Sequence, residues 1–234
     1  MKRRLCALTL PLLFVVCLVN PVQFPTQAQT GKPAGASNHS LSAFEAEMLR
    51  EINLARTRPR EYAAYLEQLR PYFKGKLYQQ PGRPGLTTEE GAAALEDAIN
   101  FMRAAKPLGP YDVSRGMCLG ANVLVKDQGA KGLTGHRGTD GNFCEKRLEQ
   151  FGAWQGTVGE NLSYGKDTAR ERVLTWLIDD GVADRGHRNR LLSPDFKAVG
   201  VSCGDHAQLG TMCVLTFAGG FTDAAPGRTA TRKF

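Results

Sequence analysis

The sequence predicts an α/β fold, and three observations carry that reading. Apolar residues recur at three- and four-residue spacing through the first half of the 234 residues. Two runs near the C-terminus, 198–203 and 212–218, alternate with period two and are rich in β-branched residues. Between them lie glycine-bearing stretches that read as loops and hold two of the four histidines, His136 and His187. Hydrophobic residues at 42% and charged residues at 23% are the proportions of a chain that buries a core, so one domain, or at most two, is expected.

The chain opens with Lys2-Arg3-Arg4, an apolar run from Leu5 to Val19 and the small-residue ending Thr26-Gln27-Ala28. This is the pattern of a secretory signal peptide over 1–28, which predicts a secreted or periplasmic product. The run, about fifteen residues interrupted by Pro11, falls short of the roughly twenty needed to span a bilayer, so no stable membrane anchor is expected. Bulky Val15 and Val16 ahead of Cys17 argue against lipid attachment there. Residues 29–40 are small and polar, a flexible leader, and the main domain is expected over 41–222, with a loose basic tail at 223–234.

From Ser42 the spacing of Phe44, Met48, Ile52 and Ala55 predicts an amphipathic helix, with Ser42 and Glu45 forming a capping box. The helix should break near Arg58-Pro59 and resume to about Leu69. Prolines and glycines fill 71–86, which reads as an exposed loop, part of a 72–93 insertion to which the sequence assigns no role. Thr87 or Thr88 is expected to cap a helix running to about Ala105, and a further helix is expected over 117–128. A loop carrying His136 follows, then a short helix from Glu145, an extended segment over 157–164, and a helix capped by Thr168 and ended before Gly181. The two β-rich runs should pair antiparallel through a turn over 204–211 that holds His206.

Loss of Lys2, Arg3 and Arg4, with no acidic residue in 1–28, takes the formal net charge from +7 to +4. No dense basic run remains in the body, so nucleic acid is not an expected partner. Of six cysteines, Cys6 and Cys17 leave with the signal. The remaining four, in an exported chain, predict two disulfides, for which sequence allows three connectivities. Cys203 and Cys213 flank a short turn between the β runs and are the preferred pair, which leaves Cys118 with Cys144. Their spacings match no zinc-finger pattern.

Two separated histidines with carboxylates nearby suit a divalent cation: imidazole nitrogens ligate Zn²⁺, and carboxylates orient the rings, ligate, or activate bound water. The order of motifs here resembles the CAP family, the secreted domain shared by cysteine-rich secretory proteins, insect venom antigens and plant pathogenesis-related proteins. The resemblance runs from Glu51-Ile52-Asn53-Leu54-Ala55-Arg56 through His136, Thr139-Asp140-Gly141, Gly159-Glu160-Asn161-Leu162 and Trp176. It continues into Gly186-His187-Arg188, Leu191-Leu192-Ser193-Pro194-Asp195-Phe196 and Val199-Gly200-Val201, and Gly-His-Arg is similar to the bacterial branch.

The resemblance implies a three-layer α-β-α sandwich with a small, mainly antiparallel sheet. It also implies a cleft where His136, Glu160, His187 and an acidic residue three positions after Trp176, Asp179, meet around zinc or another divalent metal, with Asp180 as the alternative acid. Asn161 is expected to brace a turn at Glu160, Trp176 to sit in the core, and Arg188 and Arg190 to be solvated. Two functions follow. One is a secreted binding module for a lipid, a sterol, another small ligand or a protein partner. The other is a zinc-dependent extracellular peptidase or esterase in which Glu160 activates the water. The sequence has no His-Glu-x-x-His word and no Gly-x-Ser-x-Gly word, which weighs toward binding.

Overall fold

In the computed structural model, residues 41–225 are described; the predicted signal peptide, the leader and most of the basic tail lie outside them. Seven α-helices, one short 3₁₀ turn and seven strands are interspersed along these residues. The first helix, α1 (Ala43–Thr57), starts as expected: Ser42 and Glu45 bond reciprocally in a capping box. Arg58 leaves the helical region, Pro59 takes the first position of α2 (Pro59–Glu67), and the chain turns.

The Glu51–Arg56 motif on α1 is structural. Asn53 accepts from the Tyr111 N–H at 2.9 Å, and the buried Arg56 guanidinium reaches the Tyr111 hydroxyl and the carbonyls of Leu191 and Ser193 at 2.8, 2.7 and 3.1 Å. One helix therefore fixes two connections that are distant in sequence.

The 71–86 stretch is not a plain loop. Three two-residue strands, β1 (Phe73–Lys74), β2 (Leu77–Tyr78) and β3 (Leu86–Thr87), pair antiparallel into a miniature sheet. Strands this short give no periodicity for a sequence reading to detect. The next helix, α3 (Ala92–Ala104), begins later than expected, because neither Thr87 nor Thr88 caps it. Thr88 instead donates its hydroxyl to the Lys76 carbonyl at 2.6 Å, and Gly91, at φ 70°, is the N-cap.

After β4 (Asp112–Val113), α4 (Arg115–Gly129) covers one face of the main sheet, with α5 (Cys144–Leu148) beside it. The sheet is completed by β5 (Gly152–Tyr164), then, past α6 (Ala169–Ile178) and α7 (Gly186–Leu191), by β6 (Ala198–His206) and β7 (Gly210–Asp223). Its order is β4-β6-β7-β5, with β4 parallel to β6 and the other pairs antiparallel. Because side chains alternate along a strand, β7 divides its apolar residues between two cores. Cys213, Leu215 and Phe217 join α1, α2, α3 and α6 on one face, while Met212, Val214 and Ala218 face α4 and α5 on the other. This is the expected α-β-α sandwich.

The Cys203–Cys213 disulfide is present, joining directly opposed residues of β6 and β7. The Cys118–Cys144 bridge is not: both thiols are free and buried. Helix geometry gives the reason. Gly120 is the α4 position pressed on Leu148 of α5, and Cys118, two residues and so about 200° away around the helix, turns to the sheet, where its sulfur accepts the Val201 N–H at 3.4 Å. Gly200 permits that approach, since a Cβ there would lie 2.2 Å from the Met117 carbonyl carbon. His206 also departs from expectation. It ends β6 rather than sitting in the turn, and it is buried.

Candidate functional site

Two loops and two regular elements set the four expected residues in two separate histidine–carboxylate pairs. His136 sits on the loop after α4, and that loop is held from several sides. Gln128 donates its amide to the carbonyls of Gly135 and Arg137 at 2.9 and 3.0 Å, and the Tyr164 hydroxyl accepts from the Gly135 N–H at 2.9 Å. Asp127 accepts from the Thr139 N–H at 2.6 Å, and His206 bonds the Leu133 carbonyl through Nε2 at 2.8 Å. So restrained, His136 sets Nδ1 2.9 Å from Glu160 Oε1.

Glu160 belongs to β5, opposite Thr216, and is buried in the strand rather than placed at a turn. Its second oxygen accepts from Arg147, a guanidinium on α5 that is itself buried. Arg147 also donates to the His136 and Asn142 carbonyls at 3.0 and 3.1 Å, so one side chain neutralises the acid and holds the histidine's backbone. Nothing in the sequence singled out Arg147: in Glu145-Lys146-Arg147 it reads as one charge on a solvated helix face.

The second pair is local. Asp179 is the C-cap of α6 and takes a left-handed conformation at φ 53°. That region is costly for a residue with a Cβ but least so for Asn and Asp, whose short polar side chains bond nearby backbone. Asp179 does so: one oxygen accepts the N–H groups of His187 and Arg188 at 2.8 and 3.3 Å, and the other lies 2.6 Å from His187 Nδ1. Its neighbour Asp180, the alternative acid, is committed elsewhere. It accepts the N–H groups of Glu89, Glu90 and Gly91 at 2.7, 2.8 and 3.1 Å, just ahead of α3.

Asn161 braces a different contact from the one expected, donating to the His187 carbonyl at 3.1 Å and thereby tying β5 to α7. Trp176 is core, with its indole N–H on the Leu162 carbonyl at 2.8 Å. Arg188 is not solvated: at 2% exposure it donates to the Leu177 and Ile178 carbonyls, closing the end of α6. Arg190 is half-buried and reaches the Asn161 amide oxygen at 3.4 Å.

An ionised carboxylate only accepts, so in the neutral form of each ring the proton sits on Nδ1 and Nε2 presents a lone pair. The His136 side chain is 45% exposed and that of His187 27%, and no protein group bonds either Nε2 among the described residues. Imidazoles braced in this way by carboxylates are suited to a divalent cation, with two nitrogen donors and the acids behind them. Within the described residues no group of three or more His, Cys, Asp or Glu side chains is gathered to hold a metal ion. The nearby thiol offers no nucleophile, because burial and then the Glu160 carboxylate push Cys144 up to about 12.

Residues 96–217, about half of the chain, match the sequence model of the cysteine-rich secretory protein family, CAP. The chain belongs to the CAP family. Among curated proteins, this CAP chain is 26% identical over 105 residues to YkwD, an uncharacterised Bacillus subtilis protein, covering 45% of the chain and 39% of YkwD. The matched part is thus well under half the length of that relative. Two solved structures are also similar to it. One is an outer surface protein of Borrelia burgdorferi, with 16% identity, 47% of this chain and 78% of that one, and a TM-score of 0.39. The other is an extracellular protein of Bacillus anthracis containing an SCP domain, with 19% identity, 66% of this chain and 49% of that one, and a TM-score of 0.39.

Proposed function

We propose that this CAP chain is an exported binding module, secreted or periplasmic, with a divalent-metal cleft formed by His136 and His187 and braced by Glu160 and Asp179. The observation that supports this most directly is the paired use of Nδ1: both rings spend that nitrogen on a buried carboxylate and leave Nε2 to solvent. Zinc fits the donors, two neutral imidazoles with the remaining positions open to water or ligand. The metal would supply a fixed positive charge with exchangeable coordination positions. The chain's own contribution is to hold both rings in one tautomer at set angles.

Binding is favoured over hydrolysis by the company Glu160 keeps. One oxygen is engaged by His136 and the other by the buried Arg147, and the Glu160 side chain is 2% exposed, so water has little access to the carboxylate as a base. A lipid, a sterol or another small molecule is the expected class of ligand, with a protein partner as a further class. Zinc titration by calorimetry should show one site in the wild type, a tenfold or greater loss of affinity in His136→Ala or His187→Ala, and none in the double variant. Unchanged zinc binding in the double variant would overturn the metal assignment. Peptide or ester turnover that disappears in Glu160→Gln would overturn the choice of binding over hydrolysis.

A further inference from the structure

Beside the His187–Asp179 pair lies a half-enclosed groove of about 510 Å³, within the range of small-molecule sites. One wall is the 72–93 insertion, which presents Phe73, Tyr78 and Leu86, and the other carries Leu162, Trp176 and Ile178 from β5 and α6. The Phe73 and Tyr78 rings are 4.7 Å apart and tilted, so that side of the groove is a continuous aromatic surface. Leu86, 60% exposed, adds an open apolar edge to the same wall.

The charge of this groove runs against that of the full sequence, whose formal net charge is +7. Asp167, Glu171, Asp179 and Asp180 all line it. Apart from the imidazole of His187, the cation that lines it is Arg83, whose guanidinium is already engaged by Glu171 at 2.9 Å and Asp167 at 3.7 Å. Among the described residues an anionic head group would therefore find no free guanidinium or ammonium lining the groove, while four carboxylates, Glu171, Asp179 and Asp180 of them already accepting hydrogen bonds, outnumber the one arginine. The Tyr78 hydroxyl responds to the same field: burial and then the Glu171 carboxylate raise it above its ordinary range. Apolar walls with an acidic rim complement a molecule of opposite design, an apolar body ending in a positive charge.

We infer that the insertion-walled groove binds a hydrophobic amine, a slender aliphatic or aromatic molecule carrying a protonated amino group, and discriminates against fatty acids. This deepens the binding-module reading and rests on it, but it draws on residues separate from His136. The body lies between the aromatic wall and Trp176, and the ammonium lies toward the carboxylates.

The test is equilibrium dialysis of the full chain against dodecylammonium, dodecanol and laurate, each below its micelle concentration. Dodecylammonium should bind at least tenfold more tightly than laurate, with dodecanol between them. Leu86→Arg, an exposed substitution that adds a positive charge at the groove, should weaken the amine about tenfold, and Arg83→Gln should tighten it about threefold. Laurate bound as tightly as the amine, or amine binding indifferent to Leu86→Arg, would overturn the proposal. His136→Ala, measured alongside, separates the two readings, because it should weaken zinc binding and leave the amine affinity unchanged. Loss of zinc binding with amine binding intact supports both. Absence of zinc binding in the wild type sinks the metal cleft alone, and absence of amine binding sinks the groove alone.

Discussion

The two histidine-carboxylate pairs do the same thing by opposite means. His136 and Glu160 come from a loop and a strand 24 residues apart, and the acid is buried in the sheet against a buried guanidinium. His187 and Asp179 are eight residues apart, and the acid is satisfied by its partner ring and two backbone N–H groups of the following helix, with no guanidinium on its oxygens. The first pair depends on long-range packing of α5 on β5; the second depends on the shape of one turn. The same brace on an imidazole can thus rest on tertiary structure or on local backbone.

The largest expected effect falls on the first pair. Arg147→Met leaves Glu160 buried without its counter-charge, and stability should drop by about 3 to 5 kcal/mol in urea unfolding. Adding Glu160→Leu should recover much of that loss, since an apolar pair avoids burying a charge. A double variant no more stable than the single one would mean that Arg147 acts through the His136 carbonyl instead. At the second pair, Asp179→Ala should cost about 2 kcal/mol, from lost caps and from a Cβ kept in the left-handed region. Asp179→Gly should be milder by about 1 kcal/mol, because glycine relieves the backbone even though the caps are gone. Equal losses for the two would show that φ at this position carries no strain.

A smaller effect concerns the loop that carries His136. Hydrogen bonds from Lys131 and Thr139 outweigh the opposing effect of burial and hold Asp127 down to about 2. A carboxylate lowered on folding contributes stability above its unfolded value, near 3.9, and loses it as pH falls toward 2. The stability difference between wild type and Asp127→Ala should therefore be constant above about pH 5 and shrink to its smallest value near pH 2. A difference independent of pH across that window would remove the carboxylate from the loop's support.

Local signals were legible in the sequence. The capping box at Ser42–Glu45 and the cap at Thr168 rest on contacts three residues apart, and the β6–β7 hairpin announces itself by alternation. His136, Glu160, His187 and Asp179 were reachable because the family's motif order marks them. What stayed hidden depends on distance. Arg147 is silent until α5 meets β5, and α3 is braced by Asp180, some ninety residues further along the chain. The placing of Cys118 and Cys144 was misread because spacing gives the order of residues along a helix pair but not the faces that meet.

Adjacent aspartates with separate duties have a mechanical consequence. Asp179 sets the angle of the His187 ring, and Asp180 clamps the chain where the insertion rejoins α3. Their Cα atoms are joined by a single rigid peptide plane. A substitution at Asp180 should therefore be felt at Asp179 and at the ring it orients, one residue away.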